Sequence, residues 1–200
     1  MLLRFVRLLP AWVLPGWLAA QSPPVAFQRL TLQEGLPANF ATGVAQDSLG
    51  FAWISTVNGL ARFDGLRCQT FDRQSGNPRS LSHRVLRCVY RSRAGTLWVG
   101  TQEGLNRFEP HTQTFRRFSL ASLGPDCNLV RRVTETDDGR MWLATKGGLV
   151  AFDPATGRCA LVPIPTDSPN RPNVASVRQV LADGPTLWVG TQGGLFAYAW

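Results

Sequence analysis

The sequence predicts an all-β chain, a β-propeller of four repeats of about 45 residues each. Three observations predict it. A strand-like segment headed by tryptophan recurs at Trp53, Trp98, Trp142 and Trp188, spaced 45, 44 and 46 residues apart. Each is followed by a glycine turn: Asn58-Gly59, Glu103-Gly104, Gly147-Gly148 and Gly193-Gly194. Each is preceded by a second β-like segment, Thr42-Gly43-Val44, Val85 to Val89, Val130 to Val133 and Val177 to Val180. Strands repeating at this period are the mark of four-stranded units set radially around a channel.

Met1 to Ala20 reads as a signal peptide. Arg4 and Arg7 begin it, Leu8 to Leu18 form its apolar stretch, and Ala19-Ala20 precede Gln21. That is the order of charge, apolar core and small residues that export uses. An uncleaved anchor is the alternative, since Pro10 and Pro15 break the stretch and Leu18 is large for a cleavage site. In either case the body is exported, to the periplasmic side of a bacterial inner membrane.

Residues 21–34 are expected to form an orphan outer strand, because Phe27 to Leu32 resembles Phe115 to Leu120 and Cys68 to Phe71. Such a strand closes a ring and removes its open edges. Blade 1 is assigned to 35–79, blade 2 to 80–123, blade 3 to 124–168 and an incomplete blade 4 to 169–200. Within each blade the inner strand leads through an Asp- or Ser-rich turn to the Trp strand. The Trp strands are β-branched and aromatic, which suits a buried, pleated segment. Their glycines Gly59, Gly104, Gly148 and Gly194 are read as the second residue of type I′ turns, where positive φ is needed. A tryptophan present in every repeat is architecture, packed between blades. Two arrangements stay open: a four-bladed ring closed by residues 21–34, or a portion of a longer propeller, which a sequence ending within a repeat favours.

Composition narrows the function. Hydrophobic residues make up 44%, enough for a real core, and the net charge is +8. Lys146 is the single lysine and the arginines are scattered over every blade, whereas a nucleic-acid surface would cluster them. No nucleic-acid partner is therefore expected. His83 and His111 have no companions at metal-ligand spacing, and no phosphate loop or nucleophile elbow is present. No catalytic residue, metal or cofactor is assigned. Asp137-Asp138-Gly139 occupies the repeat turn and is read as a turn rather than a calcium loop. Cys68, Cys88, Cys127 and Cys159 fall at different blade positions; Cys68 and Cys88 are not expected to reach disulfide distance, and the four are read mainly as small buried apolar residues, their redox state left open. Arg87, Arg131 and Arg178 recur on the innermost strand, which lines the channel. They either form a basic funnel for an acidic or polyhydroxyl ligand, or bond to carbonyls of neighbouring blades. His83 joins them as a candidate, because its loop lies on the face where propellers bind ligands. The loops 74–83, 124–128 and 163–173 differ between repeats, and variable loops on a rigid scaffold are where specificity lives.

The pattern Val-Arg-x-Val, Asp-x-x-Gly, Leu-Trp-Val-Gly-Thr-x-x-Gly-Leu-x-x-Phe-Asp-Pro resembles the two-component regulator propeller repeat. Gly35-Leu36-Pro37-Ala38-Asn39 also resembles the Gly-Leu-Pro segment near the start of such proteins. The likeness covers roughly residues 26–200, with departures at Ser55, Ala144 and Pro185, and Arg84 where Asn is usual. It implies an extracytoplasmic seven-bladed propeller, followed outside these residues by a β-sandwich, a membrane helix and an output module. That output is a histidine kinase, often hybrid, or a diguanylate cyclase. It further implies a homodimer and an extracytoplasmic ligand such as a glycan. The competing readings are an exported propeller enzyme of lyase or quinoprotein type, and a self-contained four-bladed binding scaffold.

Overall fold

A computed structural model describes residues 29–164 and 176–200. Four antiparallel sheets follow one another along the chain. Blade 1 holds β1 (Ala41–Gln46), β2 (Ala52–Thr56), β3 (Gly59–Phe63) and β4 (Cys68–Phe71). Blade 2 holds β5 (Leu86–Arg91), β6 (Leu97–Thr101), β7 (Gly104–Glu109) and β8 (Thr114–Phe118). Blade 3 holds β9 (Val130–Glu135), β10 (Met141–Thr145), β11 (Leu149–Phe152) and β12 (Cys159–Val162). Blade 4 holds β13 (Val177–Asp183), β14 (Thr186–Thr191) and β15 (Gly194–Ala199). Within each blade strands pair in chain order, so the first strand is innermost and the inner strands pack in the series β1, β5, β9, β13. The all-β propeller architecture is as expected.

Blades are joined by apolar faces, and the recurrent tryptophan is the centre of each. Trp53, Trp98 and Trp142 are each 1% exposed. Each meets an aromatic on the third strand of the next blade: Trp53 meets Phe108 at 4.7 Å between ring centroids, Trp98 meets Phe152 at 5.5 Å, and Trp142 meets Tyr198 at 5.5 Å. Tilted and edge-on pairs of this kind add to the area term. The turn before the strand also serves the indole. Trp53 Nε1 donates to Asp47 Oδ2 at 2.7 Å and Trp142 Nε1 donates to Thr136 Oγ1 at 3.1 Å. Asp138 accepts from Thr136 Oγ1 and the Arg140 amide, which makes Asp137-Asp138-Gly139 a repeat turn.

The hairpin turns depart from the expected type. The turn residues are Val57-Asn58, Gln102-Glu103, Lys146-Gly147 and Gln192-Gly193. Gly59, Gly104, Gly148 and Gly194 come one residue later, with φ of +126°, +95°, +148° and +137°. Asn58 and Glu103 keep ordinary negative φ, so these are not type I′ turns. The reason is the threonine of each motif. Its hydroxyl donates to the glycine carbonyl in every blade and, in blades 1, 2 and 4, also accepts the amide of the second turn residue, as in Thr101 with Gly104 (3.0 Å) and Glu103 (2.9 Å); in blade 3 the Gly147 amide donates to Asp126 O instead. Thr56 and Thr191 do the same. A Cβ at Gly59 or Gly104 would run into the carbonyl of Phe71 or Phe118 on the outer strand.

The opening segment also differs. The signal peptide of 1–20 and the first part of the orphan strand, through Gln28, lie outside the described residues. Over 29–34 no strand forms; Leu32–Glu34 is a 3-10 turn. Thr31 and Glu34 close a capping box around it, with Gln33 N donating to Thr31 Oγ1 and Thr31 N donating to Glu34 Oε2. That box removes Thr31 from any ladder. Leu30 and Leu36 instead pack on Ile54, Ala61 and Phe63 of blade 1.

All four cysteines are free: Cys88 and Cys127 are buried, Cys68 and Cys159 half-buried. Burial pushes the Cys88 thiol up to about 11, against weak opposition from its bond to Gly100 and from Arg132.

Candidate functional site

Each inner strand carries one β-bulge, and it falls at the same register in every blade. Pairing runs from Ala41 to Gly43, from Leu86 to Cys88, from Val130 to Arg132 and from Val177 to Gln179. The residues passed over are Thr42, Arg87, Arg131 and Arg178. A bulged residue leaves the ladder and its side chain is re-aimed. All four of these side chains line one cavity of about 460 Å³ at the channel, together with Phe40, Ala41, Leu129 and Arg132. That volume is within the ~300–1,000 Å³ of small-molecule sites.

The cavity lies on the face carrying the hairpin turns and the loops between blades. There the first turn residue of each hairpin donates to the loop ahead of the inner strand: Val57 to Phe40 O, Gln102 to Val85 O, Lys146 to Leu129 O, and Gln192 to Ser176 O. These bonds recur in every blade and fix the bulges relative to the turns.

The arginines divide by what they touch. Arg131 Nη1 donates to Ser176 Oγ (2.9 Å) and Val177 O (2.8 Å) of the next blade. Arg132 Nη1 donates to Arg87 O (2.9 Å) of the previous blade and to Arg131 O (3.1 Å). These two partly act as staples, satisfying carbonyls that the bulges release from the ladder. Arg87 is half-buried, and its Nε is buried with no bonding partner among the described residues. Arg178 is exposed at the rim. No carboxylate is among the lining residues. Asp126, the acidic group whose charge reaches Arg131, is paired with Lys146 Nζ at 2.9 Å. Burial first, and then the charges of Arg178 and Arg87, pull the Arg131 guanidinium below its ordinary pKa. It remains cationic, as arginine does in proteins.

His83 is not brought to this cavity. It sits in the loop ahead of β5, and its Nδ1 accepts from the Val85 amide at 3.0 Å, a local cap. His111 is exposed in the turn before β8. Arg132 belongs to the site although its neighbour Arg131 alone was singled out; the signal is the doubled Arg131-Arg132, since only a bulge lets successive residues of a strand both face one cavity. Among the described residues no group of three or more His, Cys, Asp or Glu side chains converges in a way that could hold a metal.

No family model matches the chain, and no curated protein matches it. Solved structures do. The extracellular domain assigned to a hybrid two-component system of B. thetaiotaomicron aligns with a TM-score of 0.71 and 28% identity, over 86% of this chain and 25% of that one. Virginiamycin B lyase of Staphylococcus aureus aligns with a TM-score of 0.57 at 13% identity, over 80% of this chain and 55% of that one. A streptogramin B lyase aligns with 0.55 at 16%, over 83% of this chain and 56% of that one. The lyases share the propeller fold with this chain. The first neighbour is an extracellular domain of a two-component sensor, and this chain spans a quarter of its length. No helix among the described residues is long and apolar enough to cross a membrane.

Proposed function

We propose that this chain is the extracytoplasmic, ligand-sensing propeller portion of a transmembrane two-component signalling protein, built from two-component regulator propeller repeats. The observation that carries the reading is the likeness to a sensor's extracellular domain, at 28% identity and a TM-score of 0.71 over 86% of the chain. The repeat motif and the export-like leader support it independently. In this reading the blades belong to a seven-bladed ring, the channel mouth receives the ligand, and binding biases a dimer. A membrane helix then passes the change to a histidine kinase or a diguanylate cyclase on the periplasmic protein's cytoplasmic side. The bare outward face of blade 4 suits this, because Trp188 offers the surface that Trp142 buries.

Two measurements test it. An alkaline-phosphatase reporter fused after Trp200 should be active, as export requires. Cells lacking the gene should lose induction of a defined gene set by one extracellular substrate. Turnover of that substrate by the purified protein, with induction intact, would instead establish an enzyme.

A further inference from the structure

Four blades deliver a bulged residue to the same cavity, and in three of them it is arginine. With Arg132 added, four guanidiniums line about 460 Å³ with no carboxylate among the lining residues. Like charges gathered this way repel one another, and they are tolerated where an anion or solvent sits between them. Two of the four serve partly as staples for neighbouring carbonyls. That duty does not account for Arg87, whose buried Nε has no partner among the described residues. A neutral polyhydroxyl ligand would be met by amides, hydroxyls and carboxylates as well as aromatic faces. The polar side chains of this lining are donors almost exclusively: beside the apolar Phe40, Ala41 and Leu129 stand four arginines and Thr42, the one side-chain hydroxyl, its Oγ1 donating to Ser55 Oγ at 2.9 Å.

We propose that the bulge cavity binds an oligoanion, with Arg87 and Arg178 as its principal charge partners, Arg132 seating the first through Arg87 O and Arg131 the second through Val177 O beside it. The inference rests on the sensing reading for its biological meaning but not for its chemistry. Planar guanidiniums favour carboxylate, sulfate and phosphate oxygens, which accept paired donors. A ligand bearing two or more charges along a short chain would reach from the half-buried Arg87 to the rim at Arg178. The three acid types share this chemistry, and the test separates them.

Binding to the full chain is measured by titration calorimetry at low and high salt. The probes are trigalacturonate, a sulfated disaccharide and inositol hexakisphosphate, each beside its neutral parent: the methyl ester, the unsulfated disaccharide and inositol. At least one anion should bind, at least tenfold more tightly than its parent, and weaken as salt rises. R178Q and R87Q should each weaken that anion about tenfold or more, the loss expected for a charged hydrogen bond. R178K should retain part of the affinity, and R158Q, which removes an exposed arginine outside the cavity, should change nothing. Unchanged melting temperature of R178Q separates lost binding from lost fold. The inference is overturned if every anion binds no better than its parent, or if R178Q and R87Q both keep full affinity. A neutral oligosaccharide that binds and induces genes despite R178Q overturns the oligoanion and leaves the sensor standing. An anion that binds through Arg178 without altering gene induction leaves the site standing and removes the sensor.

Discussion

Blades 3 and 4 carry the same Trp strand in opposite surroundings. Trp142 is 1% exposed beneath blade 4, whereas Trp188 is 38% exposed, beside Leu181 and Leu195 at 61% and 67%. Blades 2 and 4 offer a similar contrast two residues further along the Trp strand. A Cβ on Gly100 would lie 2.9 Å from the Val130 carbonyl oxygen and 2.6 Å from Cys88 Sγ, while one on Gly190 would find nothing nearer than 3.5 Å. The motif is therefore not a strand requirement. The tryptophan is an interface residue, buried at 1% exposure in each of the three blades that another blade follows, whereas the glycine two residues on is a local need of blade 2, since Ser55 and Ala144 fill that place in blades 1 and 3. The opposite end of the series is dressed differently: Leu30 and Leu36 lie over the free face of blade 1.

The largest test of that contrast is tryptophan truncation. Trp142→Ala should cost about 3–5 kcal/mol in denaturant unfolding, as large core deletions do. Trp188→Ala should cost less than about 1 kcal/mol, and equal losses would break the comparison. Gly100→Ala should cost about 1–3 kcal/mol by overpacking against a backbone oxygen, with Gly190→Ala near zero. Thr101→Val orphans the Glu103 amide and a buried contact to Ser82, and should cost about 1–2 kcal/mol. Thr191→Val, at an exposed turn, should cost less than half as much. The smallest effect is chemical. Cys88 should resist alkylation at pH 8 until the chain is unfolded, while Gln179→Cys, at the matching register, should react at once. Because the folded thiol titrates near 11 and the unfolded one near 9, its contribution to stability is whole below pH 9 and is lost as pH rises through 11.

What could be read from the chain was whatever repeats locally. Trp53, Trp98, Trp142 and Trp188 announced the blade and its packing face, because period and side-chain type are properties of the sequence itself. The turns were misplaced by one residue, since type I′ was inferred from glycine alone while the adjacent threonine, which sets the register, was treated as strand. Over residues 29–34, the described part of the expected opening strand, no strand forms, for a related reason. Phe27 to Leu32 alternates like a strand, yet Thr31 and Glu34 spell a capping box, and the local cap won. The arginines of the inner strand were found, but not their convergence. A bulge is a mismatch between two paired strands, and nothing in Val-Arg-Gln-Val alone says that Arg178 will be passed over. Bonding to an adjoining blade describes Arg131, with Arg132 beside it doing the same, while Arg87 and Arg178 line the cavity.

The recurrent bulge has a consequence for how recognition can change. A residue that the ladder skips owes nothing to strand pairing. Its identity can drift while tryptophan, threonine and glycine keep the scaffold intact. The channel mouth thus works like a dial with one setting per blade: Thr42 stands at one and arginine at three. Under the oligoanion proposal, resetting those four positions together would retune which anion is received, with the surrounding architecture left alone.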